Sequence, residues 1–150
     1  MNGARQMYDA VSSVYGPAAN NALLSVPYGF DPVLTRDGVT VAKRVSSSNA
    51  GLEHRVENDG ARILYQASEK TNKTAGDGTT ATVVLAYNLL NLAYQRFVSG
   101  ENAMKLRKQM DEDSKKVISF IEEHSKEASQ KQLLDVAIVS SGDENVGKLV

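Results

Sequence analysis

Ala75-Gly76-Asp77-Gly78-Thr79-Thr80, running directly into Ala81-Thr82-Val83-Val84-Leu85-Ala86-Tyr87, is the stretch that decides what this chain can be. Two glycines flank an aspartate, two hydroxyl residues follow, and an apolar helical pattern begins. That is the layout of an anion site. The first backbone N–H groups of a helix lack intrahelical partners, and the macrodipole adds roughly half a positive charge at that end. Glycine lets a ligand approach the backbone, Thr79 and Thr80 add hydroxyls, and the Asp77 carboxylate is a hard oxygen ligand for a divalent metal beside phosphates. Taken alone, the motif more often marks an ordinary capped helix start after a glycine turn. The surrounding chain has to decide between them.

The composition sets the bounds. A chain of 150 residues, 41% apolar and 23% charged, fits one globular domain with a sizeable core. With 17 basic against 18 acidic side chains the net charge is -1, so nucleic acid and anionic membrane are disfavoured as partners. No cysteine is present, which removes disulfides, zinc thiolates and thiol catalysis. The start Met1-Asn2-Gly3-Ala4-Arg5 has no signal-peptide apolar core, and Asn88, Asn91, Gln95 and Arg96 interrupt the longest apolar run. A soluble cytoplasmic chain is the expectation.

In order along the chain, Met7, Val11 and Val14 recur at helical spacing between Ala4 and Tyr15, with Gly16-Pro17 as the stop. Ala22 to Val26 and Pro32 to Thr35 are β-prone runs on either side of a turn, which predicts a hairpin. Val39 to Val45 reads as a short helix or turn. A long helix is predicted from about Gly51 to Lys70, capped by Ser48 or Asn49, with Leu52, Val56, Ile63, Leu64 and Ala67 toward one face. Gly60 lies in its middle, where glycine costs about 1 kcal/mol relative to alanine, so a second backbone is expected against it. The helix after Gly78 is predicted to reach Val98 before Ser99-Gly100, apolar nearly all round and therefore central. Asn102 is the predicted cap of a third long helix, with Ala103, Leu106, Met110, Val117 and Ile121 on its buried side. Asp111 to Lys116 reads as a solvated face. Ser129 is placed to cap a helix to about Val139, and Glu144 to Val150 opens another.

Other chemistries find little support. His54 and His124 lack metal-spaced partners and read as surface histidines, while Tyr87 and Tyr94 read as packing. A Walker-type loop and a Gly-x-Gly-x-x-Gly fingerprint are both absent. Three glycine turns remain: Gly16-Pro17, Asp37-Gly38 and Gly76-Asp77-Gly78. Brought together, they would offer backbone donors, a metal-binding carboxylate and a second carboxylate able to orient water, which suits phosphoryl transfer.

Jointly, these pieces resemble the ATP-binding equatorial domain of group I chaperonins, the 60-kDa bacterial and organellar type. Asp9-Ala10-Val11, Tyr15-Gly16-Pro17, Thr35-Arg36-Asp37-Gly38-Val39-Thr40-Val41-Ala42, Glu57-Asn58-Asp59-Gly60-Ala61 and Ala75 to Thr80 stand in family order and at family spacing. Asp143-Glu144-Asn145-Val146-Gly147-Lys148-Leu149 resembles the climb into the intermediate domain. The resemblance implies a mainly α, equatorial-domain-like bundle with a small β hairpin. Residues 1–138 would be the N-terminal half of the ATP-binding domain, and 139–150 the start of the intermediate domain. It implies that Gly16, Pro17, Gly38, Gly76, Gly78, Thr79 and Thr80 bind ATP, that Asp77 binds Mg²⁺, and that Asp37 is catalytic beside the γ-phosphate and attacking water. It further implies a homo-oligomeric double ring, unfolded polypeptide as client, a co-chaperonin lid, and a hairpin that meets a neighbouring subunit.

The departures are specific. Ala18-Ala19-Asn20 replaces the family's Lys-Gly-Arg after Gly16-Pro17, removing two positive charges and predicting weaker or altered nucleotide binding. Ala81 stands where a third threonine is usual. The family's apical domain and returning equatorial half have no counterpart, so the chain is expected to be a fragment that alone hydrolyses ATP very slowly or not at all. Two readings compete with it. One is a degenerate helical interaction module without nucleotide turnover, and the other an unrelated small phosphotransferase on the same anion site.

Overall fold

The computed structural model describes residues 1–17, 19–25, 31–47 and 55–149. Ala18, the turn from Val26 to Phe30, the Ser48 or Asn49 cap, and His54 lie outside the described residues. The elements run α1 (Asn2–Ser12), β1 (Ala22–Leu24), β2 (Val33–Thr35), α2 (Gly38–Ser47), α3 (Arg55–Ala75), α4 (Thr79–Val98), α5 (Ala103–His124), α6 (Gln130–Ser141) and α7 (Glu144–Gly147). They fall into two compact units, Met1–Glu101 and Asn102–Val150.

The first unit is built around the inner stripe of α1. Ala4, Met7, Val11 and Val14 follow the helical repeat and are all buried. Against them lie Val41 and Ala42 of α2, Ala61 and Leu64 of α3, and Val83 and Tyr87 of α4. Each such side chain, fully withdrawn from water, contributes roughly 1.5–3 kcal/mol if it is a Val, Leu or Met. Tyr8 stacks on Tyr87 with ring centroids 4.4 Å apart, tying α1 to α4. Gly60 meets the expected backbone: a Cβ built there would stand 3.2 Å from the Ala4 amide nitrogen. The absent side chain is what lets α1 cross α3 so closely.

The hairpin forms as predicted, antiparallel, with Leu23 opposite Leu34. Two strands alone are marginal in water. Side chains brace them: Arg36 Nε donates to Asn21 Oδ1 at 2.6 Å, and Arg44 of α2 donates to the Ser25 carbonyl.

Three helices depart from the sequence reading. α1 ends at Ser12, its continuation to Tyr15 being a tighter turn in which the Val14 and Tyr15 amides reach back only three residues. α3 continues past Lys70 to Ala75, with the Thr71 and Thr74 hydroxyls bonded back onto the preceding turn. Its inner face is Ala61, Leu64 and Ser68, while Ile63, a quarter-turn away, is exposed. α4 is central only in its first half, where Thr79, Val83 and Tyr87 are buried. Leu85, Leu89, Leu92 and Phe97 are exposed, because α1 and α3 cover only one side of it. Beyond Val98 the predicted stop holds, the Glu101 and Gly100 amides bonding back to Arg96 and Phe97 carbonyls.

In the second unit Asn102 caps α5 as expected, Oδ1 accepting from the Met104 and Lys105 amides. The buried side predicted for α5 is not observed: none of its residues is buried. A heptad-like apolar stripe forms a helix readily, yet burial also needs an apolar surface opposite. The solvated face is as predicted, with Lys116 paired to Asp113 at 3.0 Å. Hydrogen bonds from the Gln109 amide and then Lys116 hold the Asp113 carboxyl below its usual range. Ser129 and Gln132 form a reciprocal capping box at the start of α6. α7 packs back on α6 through Gly147, where a Cβ would stand 2.5 Å from the Ile138 Cα.

Candidate functional site

The turn between α3 and α4 is made by two left-handed glycines, Gly76 at φ 73° and Gly78 at φ 78°, with Asp77 between them. Neither conformation is comfortable for a residue with a Cβ. Gly76 closes α3, its amide bonding to the Asn72 carbonyl at 2.9 Å, and Gly78 is the N-cap of α4. Asp77 is exposed, with Oδ1 accepting from the Gly78 amide at 2.6 Å. That bond aims the carboxylate while leaving its second oxygen available.

The first turn of α4, like that of α1, lacks a side-chain cap, unlike the other helix starts whose caps are described. α2, α5, α6 and α7 have their opening amides satisfied by Asp37, Asn102, Ser129 and Asp143. Gly78 has no side chain to offer α4, and no side-chain cap bonds there. The opening donors of α4 therefore have no side-chain cap and lie at the positive end of the helix dipole, suiting an anion.

Gly38 brings the second loop to the first. A Cβ built on Gly38 would stand 2.1 Å from Thr80 Oγ1 and 3.0 Å from Thr80 Cβ. Two turns 42 positions apart are thus in direct contact, and only a glycine fits between them. Asp37, beside that contact, caps α2: Oδ1 accepts from the Val39 amide at 3.2 Å, while Oδ2 accepts from the Thr40 amide at 3.0 Å and from the Thr40 hydroxyl. Its own amide donates to Thr35 Oγ1. The carboxylate is held rigidly, with lone-pair capacity remaining chiefly on Oδ1.

The other sequence-derived candidates are placed less tightly. Gly16, at φ 90°, and Pro17 form an exposed turn after α1, closed by the Ala19 amide on the Gly16 carbonyl and the Asn20 amide on the Ser13 carbonyl. Thr79 is buried at the seam between α3 and α4, whereas Thr80 is half-buried toward Gly38. His124 is exposed, as expected, and stacks on Phe120 at 4.0 Å. Among the described residues no group of three or more His, Cys, Asp or Glu is assembled to hold a metal. A single exposed carboxylate still fits magnesium, which keeps several waters and binds through one or two carboxylates plus substrate phosphates.

Sequence reasoning missed the support beneath this loop. Ser68, fully buried in α3, donates to the Thr79 carbonyl at 3.1 Å. Thr82 Oγ1 lies 2.9 Å from the Gly78 carbonyl and 3.1 Å from Thr71 Oγ1. A serine in phase with the apolar positions Ala61 and Leu64 was the only signal available.

Residues 7–149 match the TCP-1/cpn60 chaperonin family. The chain belongs to that family. Among curated relatives it is 39% identical over 150 residues to the chloroplastic RuBisCO large subunit-binding protein subunit beta of Pisum sativum, covering 99% of this chain and 24% of that protein. It is 36% identical over 152 residues to mitochondrial heat shock protein 60 of Saccharomyces cerevisiae, covering 100% of this chain and 26% of that one. Both are organellar, the group I type that the loops resemble, and the match is to their N-terminal region. The chain spans about a quarter of their length. Among solved structures, the chaperonin gp146 of bacteriophage EL, crystallised in the presence of ATP-BeFx, superposes with TM-score 0.77 at 27% identity, over 98% of this chain and 25% of that one. A group III chaperonin in the open state gives TM-score 0.77 at 23% identity, over 97% and 28%, a likeness of fold. The chaperonin chain is thus mainly α with a small hairpin, an equatorial-domain fold, as the sequence predicted. Among its described residues no helix is long and apolar enough to cross a membrane.

Proposed function

We propose that this chain is the N-terminal, nucleotide-binding part of an ATP-dependent protein-folding chaperonin subunit. In this reading residues 1–138 are the first half of the ATP-binding domain and 139–150 begin the intermediate domain. The contact of Gly38 with Thr80 carries the proposal, because it joins the Asp37 turn to the Gly76–Thr80 turn in one wall. Asp77 holds Mg²⁺, and the amides and hydroxyls from Gly76 to Thr80, with Gly38, hold phosphate oxygens. Gly16 and Pro17 contribute the turn that follows α1. Bound Mg-ATP would supply a transferable γ-phosphoryl group, and Asp37, fixed by three donors, would orient the attacking water from Oδ1. Turnover by this span alone is expected to be slow or nil. A double ring, unfolded polypeptide clients, a co-chaperonin lid and a cytoplasmic setting belong to the same proposal.

The test is calorimetric titration of the purified protein with Mg-ATP. Binding that is lost in Asp77→Ala, with the fold retained, is the expected result. Silence of the unmodified protein would overturn the reading and favour a helical scaffold without nucleotide. The neutral Ala18 and Asn20 after Gly16-Pro17, at the sequence positions where the family carries Lys and Arg, are what give that alternative substance.

A further inference from the structure

Ser68 has no assigned part in the nucleotide reading, yet it is the largest polar side chain among the most deeply buried residues of the first unit. Its hydroxyl is withdrawn completely from water and aimed across the α3–α4 seam at one atom, the Thr79 carbonyl oxygen, at 3.1 Å. That oxygen belongs to the same planar peptide group as the Thr80 N–H. Fixing the carbonyl fixes the plane, and therefore the direction of the amide hydrogen on its other side. A hydrogen bond to a carbonyl also polarises its peptide, which strengthens the N–H as a donor.

The neighbouring peptide is treated alike. The Gly78 carbonyl lies 2.9 Å from Thr82 Oγ1, and Thr82 in turn meets Thr71 of α3 at 3.1 Å. The Gly78 carbonyl shares its peptide plane with the Thr79 N–H. Two consecutive donors at the uncapped start of α4 are thus each oriented from behind by a hydroxyl. Each threonine carries one hydroxyl proton, so while Thr82 donates to the Gly78 carbonyl, Thr71 donates either to Thr82 Oγ1 or to the Ala67 carbonyl, 3.2 Å away.

We infer that Ser68 is a positioning residue of the phosphate site, orienting the Thr80 amide through the Thr79 carbonyl, with Thr82 doing the same for the Thr79 amide. The inference rests on the nucleotide reading above and deepens it. A packing role alone is disfavoured by chemistry: alanine or cysteine would fill this position without a hydroxyl to satisfy, whereas a serine here is useful only if its hydrogen bond does something.

The experiment uses Ser68→Ala, the conservative Ser68→Thr, and the unmodified protein, all ¹⁵N-labelled. Without nucleotide, Ser68→Ala is expected to move the Thr80 amide resonance and speed its hydrogen exchange, leaving core amides at Val11 and Leu64 unchanged. In calorimetry with Mg-ATP its affinity is expected to fall about threefold to tenfold, the range that one lost hydrogen bond supplies. Ser68→Thr restores both. Unchanged affinity in Ser68→Ala, or exchange that accelerates uniformly through the core, overturns the inference while the nucleotide reading stands. Silence of the unmodified protein toward Mg-ATP instead rejects the nucleotide reading, and the role of Ser68 with it. If Ser68→Ala does not fold, Thr82→Val carries the test, since it removes the companion hydroxyl at nearly constant shape; no loss of affinity there is equally fatal.

Discussion

At the scale of single residues, Gly38 shows how a position is selected by what it must not contain. Its φ lies outside the left-handed region, so alanine suits the backbone and would even favour α2. The obstacle is Thr80, whose hydroxyl can rotate away from a new methyl but whose Cβ, at 3.0 Å, cannot. Gly38→Ala is therefore expected to push the two turns apart. Thermal melting should record a loss of about 1–2 kcal/mol, the usual scale of an overpacked contact. Mg-ATP affinity should drop by about tenfold, since 1.4 kcal/mol corresponds to a factor of ten. An affinity equal to that of the unmodified protein would show that the contact does not serve the ligand. Asp77 and Asp37 mark the complementary case. Both are carboxylates in exposed turns, yet the first makes one short bond to its own turn and keeps an oxygen free, while the second makes three and is immobilised. The difference in hydrogen bonding fits the difference in proposed work, metal ligand against water-orienting base.

At the scale of elements, packing separates helices that local pattern makes look alike. α3 and α5 are similar in length and both amphipathic, but α3 buries Ala61, Leu64 and Ser68 and α5 buries nothing. The short α7 is docked far more firmly than its four residues suggest, because Gly147 sits against the Ile138 backbone. A methyl there would stand 2.5 Å from the Ile138 Cα and 2.6 Å from both its amide nitrogen and its Cγ1, so the main chain itself would have to move. Gly147→Ala is thus predicted to open the α6–α7 pair, read as faster amide exchange and new protease cleavage between Ser141 and Leu149. The helix contents of α1 to α4 should be unaffected. Protection left as it was would mean that the two elements are not held together by this contact.

At the scale of the whole molecule, apolar surface is distributed unevenly. One face of α4 is spent on the core through Val83 and Tyr87, and the opposite one shows Leu85, Leu89 and Leu92 to solvent. Exposed apolar residues scattered singly are ordinary, but a row along one helix promotes association. Leu89, 52% exposed, touches little of the core. Leu89→Lys is expected to change unfolding free energy by no more than about 0.5 kcal/mol. In sedimentation velocity it should shift the purified protein toward smaller species. A loss of several kcal/mol would show that this face is already covered by the chain itself.

Much of this architecture was written locally. The hairpin, the stop at Ser99-Gly100, and the caps at Asn102 and Ser129 follow from turn chemistry and from hydroxyl and amide groups within a few residues of the backbone they satisfy, so one strand of text suffices to find them. Gly60 was also legible, since an unexplained glycine in a helix implies a close neighbour, although the sequence did not say that the neighbour would be Ala4. The Gly76–Thr80 turn announced an anion site by itself, and the family pattern tied it to Asp37-Gly38. Only the tertiary structure decided that Gly38 meets Thr80, that Ser68 reaches the Thr79 carbonyl, and that the apolar sides of α4 and α5 are exposed. The physical reason is one of range. Caps and turns are closed by atoms a few bonds apart along the chain, whereas a contact across 42 positions, or the burial of a helix face, depends on which surface arrives opposite.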